Sequence, residues 1–320
     1  IFASSQQSGA MVEIDEDSQD IVLGPMPLYH IYGFTMNVVS TFCGGGQSVL
    51  IPDPRDIDGM VAIMKAHPFT AMAGVNTLFV SLLGHPEFEE NDFCHVKGII
   101  AGGAALVEEI ASEWKRRTGS EIYEGYGLSE TSATLTCNSP DNRQLGTVGK
   151  PMVSMEMKIV DDAGRALGPG EEGELLVRGP QVMHGYWNRP EATAEALDDQ
   201  GWFRTGDIAL GQEDGYVKIC DRLKDMILVS GFNVYPNEIE GVVYTHPDVV
   251  ECAAVGVPDK KTGEAVKLHV VSSNPELNED SLRSFCREQM TAYKVPRYIQ
   301  FQQELPKSNV GKILRRELRD

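Results

Sequence analysis

Between Ile21 and Glu124 short apolar runs alternate with helical stretches, and this alternation restricts the fold more than any single motif. Ile21–Leu23, Ser48–Ile51, Thr70–Ala73, Gly98–Ala101 and Glu121–Tyr123 read as strands. Asp56–His67, Asn76–Gly84 and Val107–Thr118 read as helices. A helix between successive strands makes each connection a crossover, so the pattern predicts a largely parallel sheet with helices on its faces. Ile21 to Pro52 carries no Asp, Glu, Lys or Arg and is long enough to raise the question of a membrane span. Gly24, Pro25, Pro27, Gly33 and Gly44–Gly46 break it, and Asn37, Ser40, Thr41 and Gln47 dilute it, so it reads as a buried strand–loop–helix–strand passage.

The texture changes after Pro140. Met155–Val160, Glu174–Arg178, Ile208–Leu210 and Tyr216–Ile219 are short strands separated by turns such as Asp161–Gly164, which suggests a small antiparallel or barrel-like unit. From about Arg222 a third pattern begins, with helices at Pro236–His246 and Glu279–Met290 and strands at Val249–Val257, Ala265–Ser272 and Tyr298–Phe301. The predicted class is therefore α/β: mostly parallel sheet layers, a small β-rich or β-barrel part, then a compact α+β unit.

Charge narrows the partners. Lys and Arg total 28 against 47 Asp and Glu, giving a net charge of −19. Nucleic-acid binding depends on clustered cations, so no nucleic-acid partner is expected. The six cysteines form no C-x-x-C pair and the histidines do not cluster with them at the usual spacing, so neither a zinc site nor a disulfide framework is expected. A reduced, cytoplasmic protein follows. The start at Ile1 hints that the chain begins inside a longer protein.

Four segments bear on chemistry. Ala101–Ala105, with Gly102, Gly103 and Ala104, lies between a strand and a helix, where glycine lets backbone approach a flat ligand or phosphate; a tight turn is the plainer reading. Tyr123–Thr131 packs Glu124, Gly125, Tyr126, Gly127, Ser129 and Glu130 together: an aromatic to stack, a hydroxyl for phosphate and a hard oxygen ligand for Mg²⁺. It also reads as a loop before a capped helix. Gly201–Asp207 ends on Asp207, a carboxylate able to accept both hydroxyls of a ribose, or a surface turn. Pro306–Arg316 places Gly311 before Lys312, which suits a point charge delivered to a phosphate, or a basic surface tail.

In this order and spacing the four segments resemble the adenylate-forming superfamily of acyl-CoA synthetases, adenylation domains and luciferases. The resemblance extends through Gly185–Trp187, Asp221–Asp225 and Gly231–Glu240, and covers the chain from Pro25–His30 to its end. Met226–Glu240 and Leu305–Asp320 are similar to bacterial long-chain fatty acid–CoA ligases. The resemblance implies a partial large domain over 1–221 (an α/β part to about 138, a β-rich part from about 139) and a small mobile domain over 222–320. It implies an enzyme that joins a fatty acid to AMP at the expense of ATP, releases pyrophosphate, and passes the acyl group to coenzyme A.

Residue by residue, it implies that Gly102, Gly103 and Ala104 line the adenine and acyl pocket and that Glu124, Gly125, Tyr126 and Gly127 form the adenine shelf. Ser129 bonds phosphate, Glu130 holds Mg²⁺, and Asp207 with Arg222 holds the ribose. His30 lies beside the reacting carboxylate, with Phe34 at an aromatic gate. Lys312 reaches the carboxylate and α-phosphate; Lys224 marks the hinge; Ser230 and Gly231 lie where coenzyme A enters. Three departures stand out: Ser129 replaces a threonine, Leu228 a frequent lysine, and a Ser/Thr/Gly-rich phosphate loop before His30 is missing, which Ser4–Gly9 does not replace. The alternatives are a ligase for medium-chain or aryl acids such as 4-coumarate, and a non-catalytic nucleotide- or acyl-binding derivative of the fold. Peripheral membrane contact at the inner face and a homodimer remain open.

Overall fold

A computed structural model of the chain describes residues 1–9, 20–308 and 311–319. Asn309 and Val310 of the lysine-bearing segment, and Asp320, lie outside the described residues. Two compact units divide the chain: Ile1–Thr205 with Ala209–Ile219, and Gly206–Ile208 with Cys220–Asp320. Among the described residues no helix is long and apolar enough to cross a membrane.

The first unit opens with α1 (Phe2–Gly9) and β1 (Ile21–Gly24). There follow α2 (Ile31–Gly33), π-helical turns at Phe34–Ser40, α3 (Thr41–Cys43) and β2 (Gln47–Leu50). Next come α4 (Ile57–Ala66), β3 (Ala71–Gly74), α5 (Asn76–Leu83), β4 (Gly98–Ala101), α6 (Glu108–Thr118) and β5 (Ile122–Tyr126). Two short strands, β6 (Thr136–Cys137) and β7 (Lys150–Pro151), complete a seven-stranded sheet of order β2-β1-β3-β4-β5-β6-β7. Pairing is parallel from β2 to β5 and antiparallel at β6 and β7.

The helices form where the sequence spaces apolar residues three and four apart: Met60 and Met64 in α4, Leu78, Phe79 and Leu82 in α5, Ala111 and Trp114 in α6, all buried. Asp56 caps α4 by accepting the Gly59 N–H, and Gly119 ends α6 at a φ of 75°. Then β8 (Glu156–Val160), β9 (Glu172–Arg178), α7 (Pro190–Ala196), β10 (Phe203–Gly211) and β11 (Val217–Arg222) follow. These four strands form a sheet of order β11-β10-β9-β8, with β8 antiparallel to β9 as the β-rich texture predicts.

The second unit is built on β12 (Ile227–Val229), β13 (Phe232–Val234), α8 (Pro236–Tyr244), β14 (Val249–Asp259), β15 (Gly263–Ser272), α9 (Glu279–Gln289) and β16 (Tyr298–Phe301). Its sheet runs β13-β12-β15-β14, antiparallel, with β16 parallel on β15. Both faces of β14 are buried at its centre, Cys252–Val255. Cys252 and Ala254 face α8 and α9, packed with Ile239, Val243, Leu282 and Cys286. Ala253 and Val255 meet Leu305 and Leu318 of the C-terminal segment. That segment is therefore a structural layer with charged outer residues, not a basic surface tail.

One guanidinium ties this layer down. Arg315 donates to both oxygens of Glu240, at 3.1 and 2.7 Å, to Asn237 Oδ1 at 2.6 Å and to Asp221 Oδ1 at 3.3 Å. Asp221 is buried and also accepts the Arg222 and Asn237 N–H groups. Burial raises the Asp221 and Glu240 carboxyls, and Arg315 opposes this, while the same carboxylates raise Arg315 further. Removing one partner of a buried ion cluster leaves uncompensated charge. Arg315→Ala should therefore cost about 3–5 kcal/mol in urea unfolding, and a loss below about 1 kcal/mol would contradict this reading.

Candidate active site

In an open parallel sheet the loops leaving the C-terminal strand ends converge on one edge. Three of the four neighbouring strands β1, β3, β4 and β5 deliver a sequence-predicted residue there. The Pro25–Tyr29 loop after β1 leads to His30, Gly102–Ala104 follow β4, and β5 itself carries Glu124, Gly125 and Tyr126 before Gly127, Ser129 and Glu130. β5 is thus longer than expected and takes in what reads as loop in the sequence.

Local packing fixes each piece. His30 is the N-cap of α2, its Nδ1 accepting the Tyr32 N–H at 3.2 Å. Buried Tyr32 donates its hydroxyl to the Ile100 carbonyl at 3.0 Å and lies against Gly102, where a Cβ would come within 3.2 Å of the ring. Gly103 adopts a φ of 80°, which a side-chain-bearing residue resists, and is exposed, so this turn presents bare backbone. Glu124 accepts the Leu106 N–H at 3.1 Å and Asn76 accepts the Val107 N–H at 3.1 Å, so two side chains strap the Gly102–Val107 loop. Burial, reinforced by Glu108 and opposed by the Leu106 N–H, pushes the Glu124 carboxyl from 4.5 up to about 8.

Gly127 lies where a Cβ would stand 1.4 Å from the Ala133 carbonyl oxygen, so no other residue fits. This close crossing turns the chain from β5 into a single 3₁₀ turn, Ser129–Thr131, rather than the capped helix that the sequence also allows. Thr131 Oγ1 takes the Leu128 N–H at 3.0 Å, which leaves Ser129 exposed at the turn's start. Glu130 Oε1 accepts the Tyr186 hydroxyl at 2.8 Å, and the Glu130 carbonyl accepts the Met183 N–H. This contact orients the carboxylate and leaves a second oxygen, as an oxygen ligand to a hard cation requires.

Phe34 begins the π-helical turns and is partly exposed. The sequence gives no sign of these turns. π-turns are uncommon outside functional regions, and this one carries the buried Asn37, whose Nδ2 donates to the Met26 carbonyl at 3.4 Å.

In the second unit Asp207, buried on β10, faces Arg222 at the end of β11, with Nε 3.5 Å from Oδ1. Lys312 joins the same electrostatic group. Although Lys312 is exposed as a residue, local desolvation and then Arg222 push its ammonium from 10.5 down to about 8, with Asp207 pulling the other way. The backbone around Lys312 is held by a turn: Ser308 N–H donates to the Lys312 carbonyl, and Ser308 Oγ accepts the Lys312 N–H. Lys224 is exposed on the 3₁₀ turn Leu223–Asp225, and its carbonyl accepts Arg319 at 3.1 Å. Ser230 and Gly231 form the two-residue turn of the β12–β13 hairpin with φ of 51° and 85°. Two positive φ values are the signature of a type I′ turn.

Residues 2–187 match the AMP-binding enzyme family, and residues 238–312 match the AMP-binding enzyme C-terminal domain. A long-chain-fatty-acid–CoA ligase of Salmonella typhimurium is 53% identical over 303 residues, which cover 94% of this chain and 54% of that protein. Among solved structures, an anthranilate CoA ligase in complex with anthranoyl-AMP has a TM-score of 0.91 at 28% identity, covering 99% of this chain and 62% of that one. An o-succinylbenzoate coenzyme A synthetase of Bacillus subtilis, in complex with ATP and magnesium ion, has a TM-score of 0.88 at 31% identity, covering 100% and 65%. The chain spans about half the length of the curated relatives it matches.

The raised Glu124 carboxyl has a measurable consequence. A carboxyl raised on folding binds its proton more tightly in the native state, so its contribution to stability is present below pH 4.5 and is lost as pH rises towards 8. In urea unfolding the stability of the natural chain relative to Glu124→Gln should fall across that window. A constant difference from pH 5 to pH 8 would show that Glu124 is not raised.

Proposed function

The chain belongs to the AMP-binding enzyme family, and on that premise we propose that it forms part of an ATP-dependent ligase joining long-chain fatty acids to coenzyme A. The observation that carries the adenylating chemistry is the grouping of Asp207, Arg222 and Lys312. The 53% identity to a long-chain-fatty-acid–CoA ligase supports the substrate class.

In this reading Tyr126 stacks on adenine, with Glu124, Gly125 and Gly127 as the rest of the shelf and Gly102, Gly103 and Ala104 as the bare backbone beside it. Asp207 accepts the ribose hydroxyls, held in place by Arg222. Ser129 donates to phosphate. Glu130 fits a Mg²⁺ ligand, since Tyr186 occupies only one of its oxygens. Bound there, Mg²⁺ supplies charge that offsets the phosphates. His30 orients the fatty carboxylate near Phe34. The Lys312 ammonium offsets the negative charge that builds as the carboxylate attacks the α-phosphate and pyrophosphate leaves.

Lys224 serves as the hinge of the small unit, and the exposed Ser230–Gly231 turn offers backbone to the pantetheine arm of coenzyme A in the second step. The six cysteines are all free, which supports a reducing, cytoplasmic setting, and the lipid-borne substrate is met at the inner face of the membrane.

The test follows acyl-CoA formation by the protein at its natural length with palmitate, oleate and aryl acids. Long-chain products support the proposal; products from aryl acids alone overturn the substrate class. In Lys312→Ala, acyl-adenylate formation should fall about 10²–10³-fold, the size of one preorganised contact to a developing charge. Thioester formation from preformed acyl-adenylate should change far less, and equal loss in both steps would overturn the role given to Lys312.

A further inference from the structure

We propose that Asp92, Cys94 and His95 form a binding site for one zinc(II) ion, with a fourth position left to water. One oxygen, sulfur or ring nitrogen of each residue lies within 4.8 Å of the others. The site lies in the loop before Gly98, at the opposite end of β4 from Gly102–Ala104, and so is separate from the candidate active site.

The loop is held in shape before any ion arrives. Phe93, between two of the ligands, packs its ring against Phe88 at 5.2 Å, Trp114 at 5.8 Å and Phe69 at 6.0 Å. The Val96 N–H donates to the Phe93 carbonyl, closing a turn whose two corner residues are Cys94 and His95. Asp92 Oδ1 accepts the Cys94 N–H at 2.9 Å, and Oδ2 faces His95 Nε2 at 3.8 Å. The two carboxylate oxygens therefore divide their work, one for the loop and one for a ligand.

The spacing suits the ion. With Zn–O and Zn–N bonds of about 2.0–2.2 Å and a Zn–S bond of about 2.3 Å, the edges of a tetrahedral shell are roughly 3.3–3.6 Å. From separations of up to 4.8 Å, and 3.8 Å between Asp92 and His95, the exposed side chains need to draw in by at most about 1.5 Å to reach it. A thiolate, an imidazole and a carboxylate together favour zinc over Mg²⁺, which takes oxygen ligands. The thiolate and carboxylate also match the 2+ charge.

Without the ion the Cys94 thiol donates a hydrogen bond to the Asp92 carboxylate. Zinc takes the place of that proton: the sulfur–hydrogen bond breaks, a zinc–sulfur bond forms, and the proton passes to solvent. The absence of paired cysteines hides the site in the sequence, because a carboxylate supplies the third ligand.

The 320-residue chain is titrated with Co²⁺ and then Zn²⁺ in excess Mg²⁺, which occupies oxygen-only sites. One equivalent of Co²⁺ should produce a thiolate-to-cobalt charge-transfer band that Zn²⁺ abolishes, with about one proton released per zinc. Cys94→Ser and His95→Ala should weaken zinc binding by roughly 10- to 100-fold or more, the loss seen when even an outer contact to a metal ligand goes. All three residues are exposed, so metal-free thermal unfolding should be unchanged, and Cys43→Ala, at another exposed cysteine, should keep the band. No band, a band that depends on Cys43, or unchanged zinc affinity in both loop variants would overturn the site.

Discussion

Arg315 is the charge on which the second unit depends. Its guanidinium gathers Glu240 from α8, Asp221 from the end of β11 and the Asn237 amide between them. The arrangement is bidentate on Glu240, a geometry that the planar fork of arginine meets and a lysine does not. Asp221 and Glu240 are withdrawn from water, which raises both carboxyls, and this cation favours their ionised forms. Fixing Arg315 also fixes the segment three residues after Lys312 and the segment one residue before Arg222. The charged group proposed for adenylation is thus assembled by a buried cluster that touches no substrate.

The first unit works by a different constraint, the approach of backbone to backbone. Parallel pairing from β2 to β5 brings the strand ends to one edge, and Gly127 then lets the chain fold back against Ala133 with no side chain in the way. Glu124 and Asn76 hold the neighbouring loop by accepting its N–H groups. Glu124 therefore has a structural duty besides any contact with a ligand, which is why its carboxyl is buried and raised.

Much of this was legible in the sequence because periodicity reports burial. The five strands from Ile21 to Tyr123 and the helices at Asp56–His67, Asn76–Gly84 and Val107–Thr118 appear within a few residues of where the apolar spacing places them. Less legible were features set by tertiary contact. β12 and β13 are three residues each and owe their pairing to the Ser230–Gly231 turn and to β15. The π-helical turns at Phe34–Ser40 leave no spacing signal. Arg315 reads as one more cation in a basic run, and only its burial against three acidic residues distinguishes it from exposed Arg316. Asp207 and Arg222 are far from Lys312 in sequence, so their electrostatic grouping emerges only from the fold.

In a protein of net charge −19, the proposed handling of anionic substrates requires positive charge to be concentrated locally. The proposal puts that requirement on Lys312, whose lowered ammonium pKa makes it measurable. The direct measurement is the pH dependence of kcat/KM for fatty-acid-dependent exchange of labelled pyrophosphate into ATP, which reports groups of the free enzyme. The account predicts exchange that falls as pH rises through about 8, where Lys312 loses its proton. The fall should persist in Glu124→Gln and move to higher pH in Lys312→Arg. Exchange that stays level to pH 10, or that falls identically in Lys312→Arg, would contradict it.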